Sequence, residues 1–177
     1  MAMTLITTNT SSNAASSSFT SGIDSTYKLY IFKFYDVNPV TDAVNFTFQA
    51  NVVDASGYNE TITSTAFRAY HAENNGDQSL GYYAAYDQAQ GEDPQTLANS
   101  LGNGTDESCA GELHLFNPSS TTYAKHFYSR FTMYWMNDKT NEFYGAGYIN
   151  TTTAIDDIQF TMASGNFDGT IKLWGVK

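Results

Sequence analysis

One cysteine and three histidines are the side chains best suited to nucleophilic or metal chemistry in this sequence. Cys109 follows Asp106 and Glu107, and nearby carboxylates favour the neutral thiol over the reactive thiolate. His71, His114 and His126 have no metal-ligand spacing to one another or to Cys109. The sequence therefore predicts no catalytic nucleophile, no metal centre and no cofactor. A single cysteine also excludes a disulfide within the chain.

Carboxylates gather in the segment 87–108, which is rich in Gln, Asn and Gly. Loops with several carboxylates suit Ca²⁺, but the segment lacks the spacing of an EF-hand. A calcium site there stays an open alternative. A pair of carboxylates from distant strands is how a glycosidase would work, yet no motif in the chain points to one. We predict that the protein is not an enzyme. The carboxylates of the segment are Asp87, Glu92, Asp93, Asp106 and Glu107.

Aromatic residues make up 15% of the chain, with 13 Tyr and 12 Phe, and they suggest carbohydrate binding as a second possibility. Tyr and Trp rings present flat apolar faces with a polar edge, which suits stacking against sugar rings. Tyr134, Trp135 and Tyr144 are the candidate carbohydrate platform. The alternative, which we favour, is that these rings lie in the core or at a subunit interface.

The charge balance narrows the choice of partners. The net charge is −10, from 8 basic and 18 acidic residues. Binding to nucleic acid or to an anionic membrane needs clustered Lys and Arg, so neither partner is expected. Only 15% of residues are charged, so the surface must consist largely of Ser, Thr, Asn and Gln.

The spacing of apolar residues predicts an all-β fold. Between positions 44 and 52, Val44, Phe46, Phe48 and later apolar residues alternate with polar ones, as in a strand with one face buried. Turn signals such as Asn117-Pro118 recur roughly every 8–12 residues. We therefore predict an antiparallel β-sandwich over 21–177, similar to a jelly roll, with about eight strands.

Two segments do not fit this strand pattern. Residues 1–20 form a polar tract of low complexity, which we interpret as an extended N-terminal arm. Leu5, Ile6 and Phe19 are its apolar residues and are predicted to contact another subunit or a capsid. We interpret 87–108 as a long loop with a weak helical stretch around Gln95 to Leu101.

The chain contains three distinctive segments: FTSGIDSTY at 19–27, LFNPSS at 115–120 and GNFDGTIKLWG at 165–175. They resemble segments of a family of small structural proteins from tailed bacteriophages of marine waters. The resemblance covers roughly 5–177. It implies a β-sandwich and a non-enzymatic component of the virion, and it supplies no catalytic residues.

From the residues and this resemblance together, we expect a capsid decoration (cement) protein on the outer surface of the virion. It would assemble as a homo-oligomer, with a trimer favoured, and bind the major capsid protein or another virion protein. The alternative is a tail-fibre or receptor-binding module that recognises carbohydrate on the host surface.

Overall fold

The computed structural model describes residues 2–177 and shows thirteen strands. Within that part of the chain, no helix is long and apolar enough to cross a membrane. The strands are β1 (Met3–Ala14), β2 (Ser16–Phe19), β3 (Leu29–Pro39), β4 (Val44–Val52), β5 (Ile62–Ala72), β6 (Gln78–Tyr82), β7 (Ala89–Gly91), β8 (Gln95–Leu101), β9 (Cys109–Phe116), β10 (Lys125–Trp135), β11 (Lys139–Ile149), β12 (Ile155–Met162) and β13 (Phe167–Val176).

Eight of these strands form two facing sheets. The first has the order β1-β13-β3-β9 and the second has the order β2-β12-β4-β8. Every pairing is antiparallel. This order is that of a jelly roll, in which two Greek keys are wrapped into a sandwich. The predicted all-β antiparallel sandwich is confirmed.

The remaining five strands are insertions that widen the first sheet. β10 and β11 form a hairpin after β9, and the hairpin pairs with β9 through β10. β5 pairs with β11, and the short strands β6 and β7 pair with β5. The pair Trp135↔Leu101 then joins β10 to β8, which links the widened sheet to the second one.

Phenylalanine rings fill the space between the two original sheets. Phe160 on β12 lies 4.9 Å from Phe34 on β3, between ring centroids, and 5.2 Å from Phe32, both in edge-to-face geometry. Phe46 lies 5.5 Å from Phe167. Burying one such ring is worth about 1.5–3 kcal/mol, so this cluster is a main source of stability.

The predicted N-terminal arm is wrong as a separate region, because its residues form two strands of the sandwich. β1 pairs with β13 from Met3↔Val176 to Ala14↔Phe167, and β2 pairs with β12. Phe19, predicted to contact another subunit, is only 2% exposed and packs against Phe32. The tract has few apolar residues because β1 buries little of its own surface, and its backbone hydrogen bonds to β13 hold it in place.

The segment 87–108 is also ordered differently from the prediction. Gln95–Leu101, expected to be weakly helical, is the strand β8, which lies between β4 and β10 and is almost wholly buried. The side chain of Gln95 is hydrogen-bonded to Ser64 and Tyr86, and Oδ1 of Asn99 accepts from Asn141. A strand that buries amides in place of apolar groups lacks the hydrophobic pattern of a central strand.

Candidate binding face

The outer face of the widened sheet carries the candidate site, and β10 shows how it arises. Successive side chains of a strand point to opposite sides of a sheet. Those of β10 that point inward, including Phe127 and Phe131, are buried. The others point outward: His126, Tyr128, Arg130, Thr132 and Tyr134. We call the outer surface of β3, β9, β10, β11 and β5 the binding face.

Polar and aromatic residues form a row across this face, set by the register of the strands. Arg130 lies opposite Glu112 on one side and opposite Tyr144 on the other. The row continues from Glu112 to Lys33 and from Tyr144 to Phe67. These five residues are far apart in sequence, and only the antiparallel register brings them together.

A trough lies beside this row and has a volume of about 800 Å³. Its floor is made of small residues on neighbouring strands, among them Ala110 and Thr132, whereas Tyr35 and His71 are large lining residues. A second depression of about 390 Å³ also contacts Ala110, His71 and Thr132, so the two form one trough that extends to Tyr134. Small residues flanked by large ones therefore give the sheet a concave outer surface.

The charges that line the trough balance one another. The trough is lined by three basic residues, Lys33, Arg130 and Lys139, and by three acidic ones, Glu73, Glu112 and Glu142. Nζ of Lys139 is ion-paired with Asp77, which does not line the trough. The guanidinium of Arg130 donates from Nε to Oε1 of Glu142, and Nη2 contacts the same oxygen. This hydrogen bond raises the pKa of Arg130 above its ordinary value. The trough is thus close to neutral in a chain whose net charge is −10.

An apolar hollow of about 460 Å³ lies farther along the same face, and we call it the aromatic hollow. Phe116, Tyr128 and Tyr148 line it together with His126. The ring of Tyr128 stacks on His114 at 4.4 Å between centroids, with an angle of 18° between the planes. The binding face therefore combines a polar trough with an aromatic hollow.

The three residues predicted as a carbohydrate platform do not form one surface. Tyr134 lines the end of the trough, and its hydroxyl donates to Asp138 at 3.1 Å, which raises the pKa of Tyr134 to about 12. Tyr144 lies on the outer face but stacks on Phe67, with centroids 4.7 Å apart. Trp135 packs against the core instead, with its ring 4.3 Å from Cζ of Arg68.

The other two predicted contact residues lie on β1, outside the binding face. The side chain of Leu5 is exposed, at 46%, whereas Ile6 is half-buried against the core. The side chain of Leu5 is thus accessible to another molecule, whereas that of Ile6 packs inside this domain.

Two of the five carboxylates of 87–108 have local hydrogen-bond partners. Glu107 accepts a hydrogen bond from the backbone of Gly104 at 2.6 Å, and Asp87 accepts one from the hydroxyl of Tyr82. Among residues 2–177, no group of three His, Cys, Asp or Glu side chains is placed to hold a metal ion. Cys109 is fully buried, and burial raises the pKa of its thiol far above the ordinary value.

Comparison with known proteins identifies no relative: no protein-family model, curated protein or solved structure matches this chain.

Sequence reasoning missed most of the trough, including Lys33, Tyr35, Glu112, Arg130 and Glu142. One usable signal was the alternation along 126–134, which separates outward polar residues from inward phenylalanines. The pairing of β10 with β9 and β11 could not be read from that alternation, because register is a property of distant segments.

Proposed function

We propose that this protein is a non-enzymatic module of a bacteriophage virion, of the tail-fibre or receptor-binding kind. Its trough would recognise carbohydrate on the host surface. The observation that carries the proposal is the neutral, concave, aromatic-rimmed trough on the outer face of a jelly roll. The jelly roll is a fold used by lectin domains and by viral capsids.

The side chains of the trough suit the chemistry of sugars. Carboxylates accept hydrogen bonds from neighbouring hydroxyl groups, and a guanidinium offers several donors in one plane. Arg130 and Glu142 hold each other in place, so both are already oriented before a ligand arrives. Tyr35, which is 41% exposed, supplies an aromatic surface for the apolar face of a sugar ring.

The balance of charge favours a neutral ligand over phosphate or nucleic acid. A phosphate or nucleic-acid site needs an excess of basic groups, whereas here three basic residues are matched by three acidic ones. A neutral oligosaccharide adds no charge to a site whose lining residues carry no net charge.

A glycan array followed by calorimetric titration tests this proposal. We expect reproducible binding of a neutral oligosaccharide, weakened about tenfold or more by Tyr35→Ala and by Glu142→Gln, which is about 1.4 kcal/mol. Tyr123→Ala is the matched control, because this tyrosine is 69% exposed and lies outside the trough. Absence of any retained glycan, or equal effects at Tyr35 and Tyr123, would contradict the proposal.

The second candidate is the capsid decoration protein expected from the sequence. The arm that favoured it is part of the sheet, but the aromatic hollow supports it independently. Exposed aromatic clusters such as Phe116, Tyr128 and Tyr148 are typical of the centres of protein interfaces. The hollow would then contact the major capsid protein, with the module present as a homo-oligomer.

Particle composition separates the two candidates. Hundreds of copies per virion, with labelling over the head, would favour decoration, and a few dozen copies confined to the tail would favour receptor binding. Tyr128→Ala should release a decoration protein from the capsid but leave glycan binding in the trough intact.

A further inference from the structure

We propose that β1 is the contact by which two copies of this chain associate, edge to edge, about a twofold axis. This inference is independent of the ligand that the trough binds. It comes from the position, length and composition of a single strand.

β1 is the longest strand of the molecule, with 12 residues, and it lies at the end of the strand order. It pairs with β13 on one side. Within residues 2–177, no other strand pairs with it, and the backbone of 3–12 makes no hydrogen bond except to β13. A row of backbone N–H and C=O groups is therefore open along its second side.

This edge lacks the protection by charge, proline or short length that exposed strands usually carry. Residues 2–23 contain no charged side chain and no proline. The other edges of the fold are short: β2 has four residues, β6 has five and β7 has three. The strands β6 and β7 also lie close to Asp77, Asp87 and Glu92 in sequence.

Two irregularities interrupt the register of β1, between Leu5 and Thr7 and between Ser11 and Ala14. Bulges of this kind can twist an edge away from a partner. Between them, the five residues from Thr7 to Ser11 pair with β13 without interruption. The side chain of Asn9 within this stretch donates to Ser18 of β2 at 2.9 Å, so β2 lies close by, but the backbone of the stretch bonds only to β13. The other side-chain bonds involve Asn13, which lies beyond this stretch.

A second copy is the partner that the charge distribution favours. Two molecules with a net charge of −10 repel each other over most of their surface, but a neutral strand lets their backbones approach. The same edge on both copies is self-complementary about a twofold axis, because antiparallel strands have this symmetry. The exposed side chains of Met3 and Leu5, 39% and 46% accessible, add apolar contact beside the paired backbones.

Light scattering coupled to size-exclusion chromatography provides the first test. At about 100 µM, well above the dissociation constants of many specific pairs, we expect a mass of twice 19.5 kDa. The double variant Thr8→Lys/Thr10→Lys places like charges on facing edges and should weaken association at least about tenfold. The control variant Gln78→Lys/Ser79→Lys adds the same charge to β6 and should leave the dimer intact.

Hydrogen exchange provides a test that needs no variant. Amide protection between Thr4 and Ser11 should rise as the wild-type protein is concentrated, whereas protection of β6 should not. A monomer at every concentration, a trimer, or a dimer that only the β6 variant disrupts would each overturn the proposal. Pairing of β1 only with a strand from another protein would overturn it as well.

Discussion

The two halves of the interior are built from different chemistry. One half lies between β3 and β13 on one side and β4 and β12 on the other, and we call it the phenylalanine half. The other lies where β5, β10 and β11 cover β8 and β4, and we call it the amide half. The first buries Phe19, Phe32, Phe34, Phe46, Phe160 and Phe167; the second buries Gln49, Ser64, Gln95, Asn99 and Asn141 among its apolar residues.

The two halves differ in how strongly their stability depends on the exact positions of particular atoms. Apolar burial is not directional, so the phenylalanine half is stabilised by area and packing. The amide half depends on particular atoms: Nδ2 of Asn141 donates to Asn99 at 2.9 Å, and the hydroxyl of Ser64 donates to Gln95 at 2.6 Å. The inserted strands that carry the binding face are therefore fixed to the jelly roll by directional hydrogen bonds. Stability and site geometry come largely from different halves.

The largest effect should come from the phenylalanine half. Phe160→Ala removes a fully buried ring that contacts four other phenylalanines, and we expect a loss of about 3–5 kcal/mol in the free energy of unfolding. Urea titration followed by fluorescence measures it. Tyr123→Ala, at an exposed ring, should cost no more than about 0.5 kcal/mol. Similar losses for both variants would contradict the distinction between core and surface rings.

In the amide half, the test is whether the losses in the free energy of unfolding from two substitutions are less than additive. Asn99→Leu or Asn141→Leu alone leaves a buried polar partner unsatisfied and should cost about 1–3 kcal/mol. The double variant removes both amides and should cost clearly less than the sum of the two. A double-mutant cycle by chemical denaturation measures the coupling. Strict additivity would mean that the hydrogen bond between the two amides contributes nothing.

Lys125 provides a smaller effect with a distinctive dependence on pH. Its ammonium is fully buried and donates to the carbonyl oxygens of Tyr123 and Thr151 at 3.0 and 2.9 Å. Burial lowers the pKa of Lys125 below its ordinary value of 10.5. Lys125→Met leaves two carbonyls without a donor and should cost about 1–2 kcal/mol at neutral pH.

The sign of the pH effect follows from that lowered pKa. Between the folded pKa and 10.5, the unfolded chain binds more protons at Lys125 than the folded chain, so wild-type stability rises with pH. The stability gap between wild type and Lys125→Met should therefore widen as the pH approaches 10.5. Lys28→Met, which removes an exposed lysine bonded to Asn117, is the matched control, and equal widening in both variants would contradict a role for the burial of Lys125.

The smallest effect concerns Asp157, beside Asn51 at the end of β4. Burial, followed by repulsion from Asp156, raises the pKa of Asp157 above 3.8. The folded protein then holds a proton more tightly than the unfolded chain, so ionisation of Asp157 opposes folding above the folded pKa. Asp157→Asn should raise stability at pH 7 by at most about 0.5 kcal/mol.

That gain should disappear as the pH falls below 3.8, because Asp157 is then protonated in both the folded and the unfolded wild-type protein. Thermal melts at several pH values measure it. Asp54→Asn, at an exposed aspartate, removes the same charge and is the control. An equal gain in both variants would indicate a general effect of net charge instead of local burial.

Sequence reasoning predicted the phenylalanine half well and the amide half poorly. The alternation from Val44 to Val52 predicted the bounds of β4. Its prediction that one face lies in water is wrong, because Thr47, Gln49 and Asn51 are buried as well. β8 was interpreted as part of a loop because Gln95, Thr96 and Asn99 are polar, although all three are buried. Hydrophobic periodicity cannot detect a strand whose buried groups are amides and hydroxyls.

The N-terminal strand and the trough were missed for a related reason. β1 is ordered by backbone hydrogen bonds to β13, more than 150 residues away in sequence, as the pair Met3↔Val176 shows. The trough likewise depends on the register among β3, β9, β10, β11 and β5. Composition reports neither pairing nor register, so the outward residues could be named only once the sheet was known.

The pairing of β1 with β13 also determines how the molecule would respond to force. Because Met3 lies opposite Val176, the two ends of the described chain sit side by side at one corner of the sheet. Tension applied to both ends would load the hydrogen bonds between these strands one pair at a time, as in unzipping, instead of all together in shear. Such a sandwich opens at low force from its ends, whereas a load applied across the binding face is shared by five strands at once.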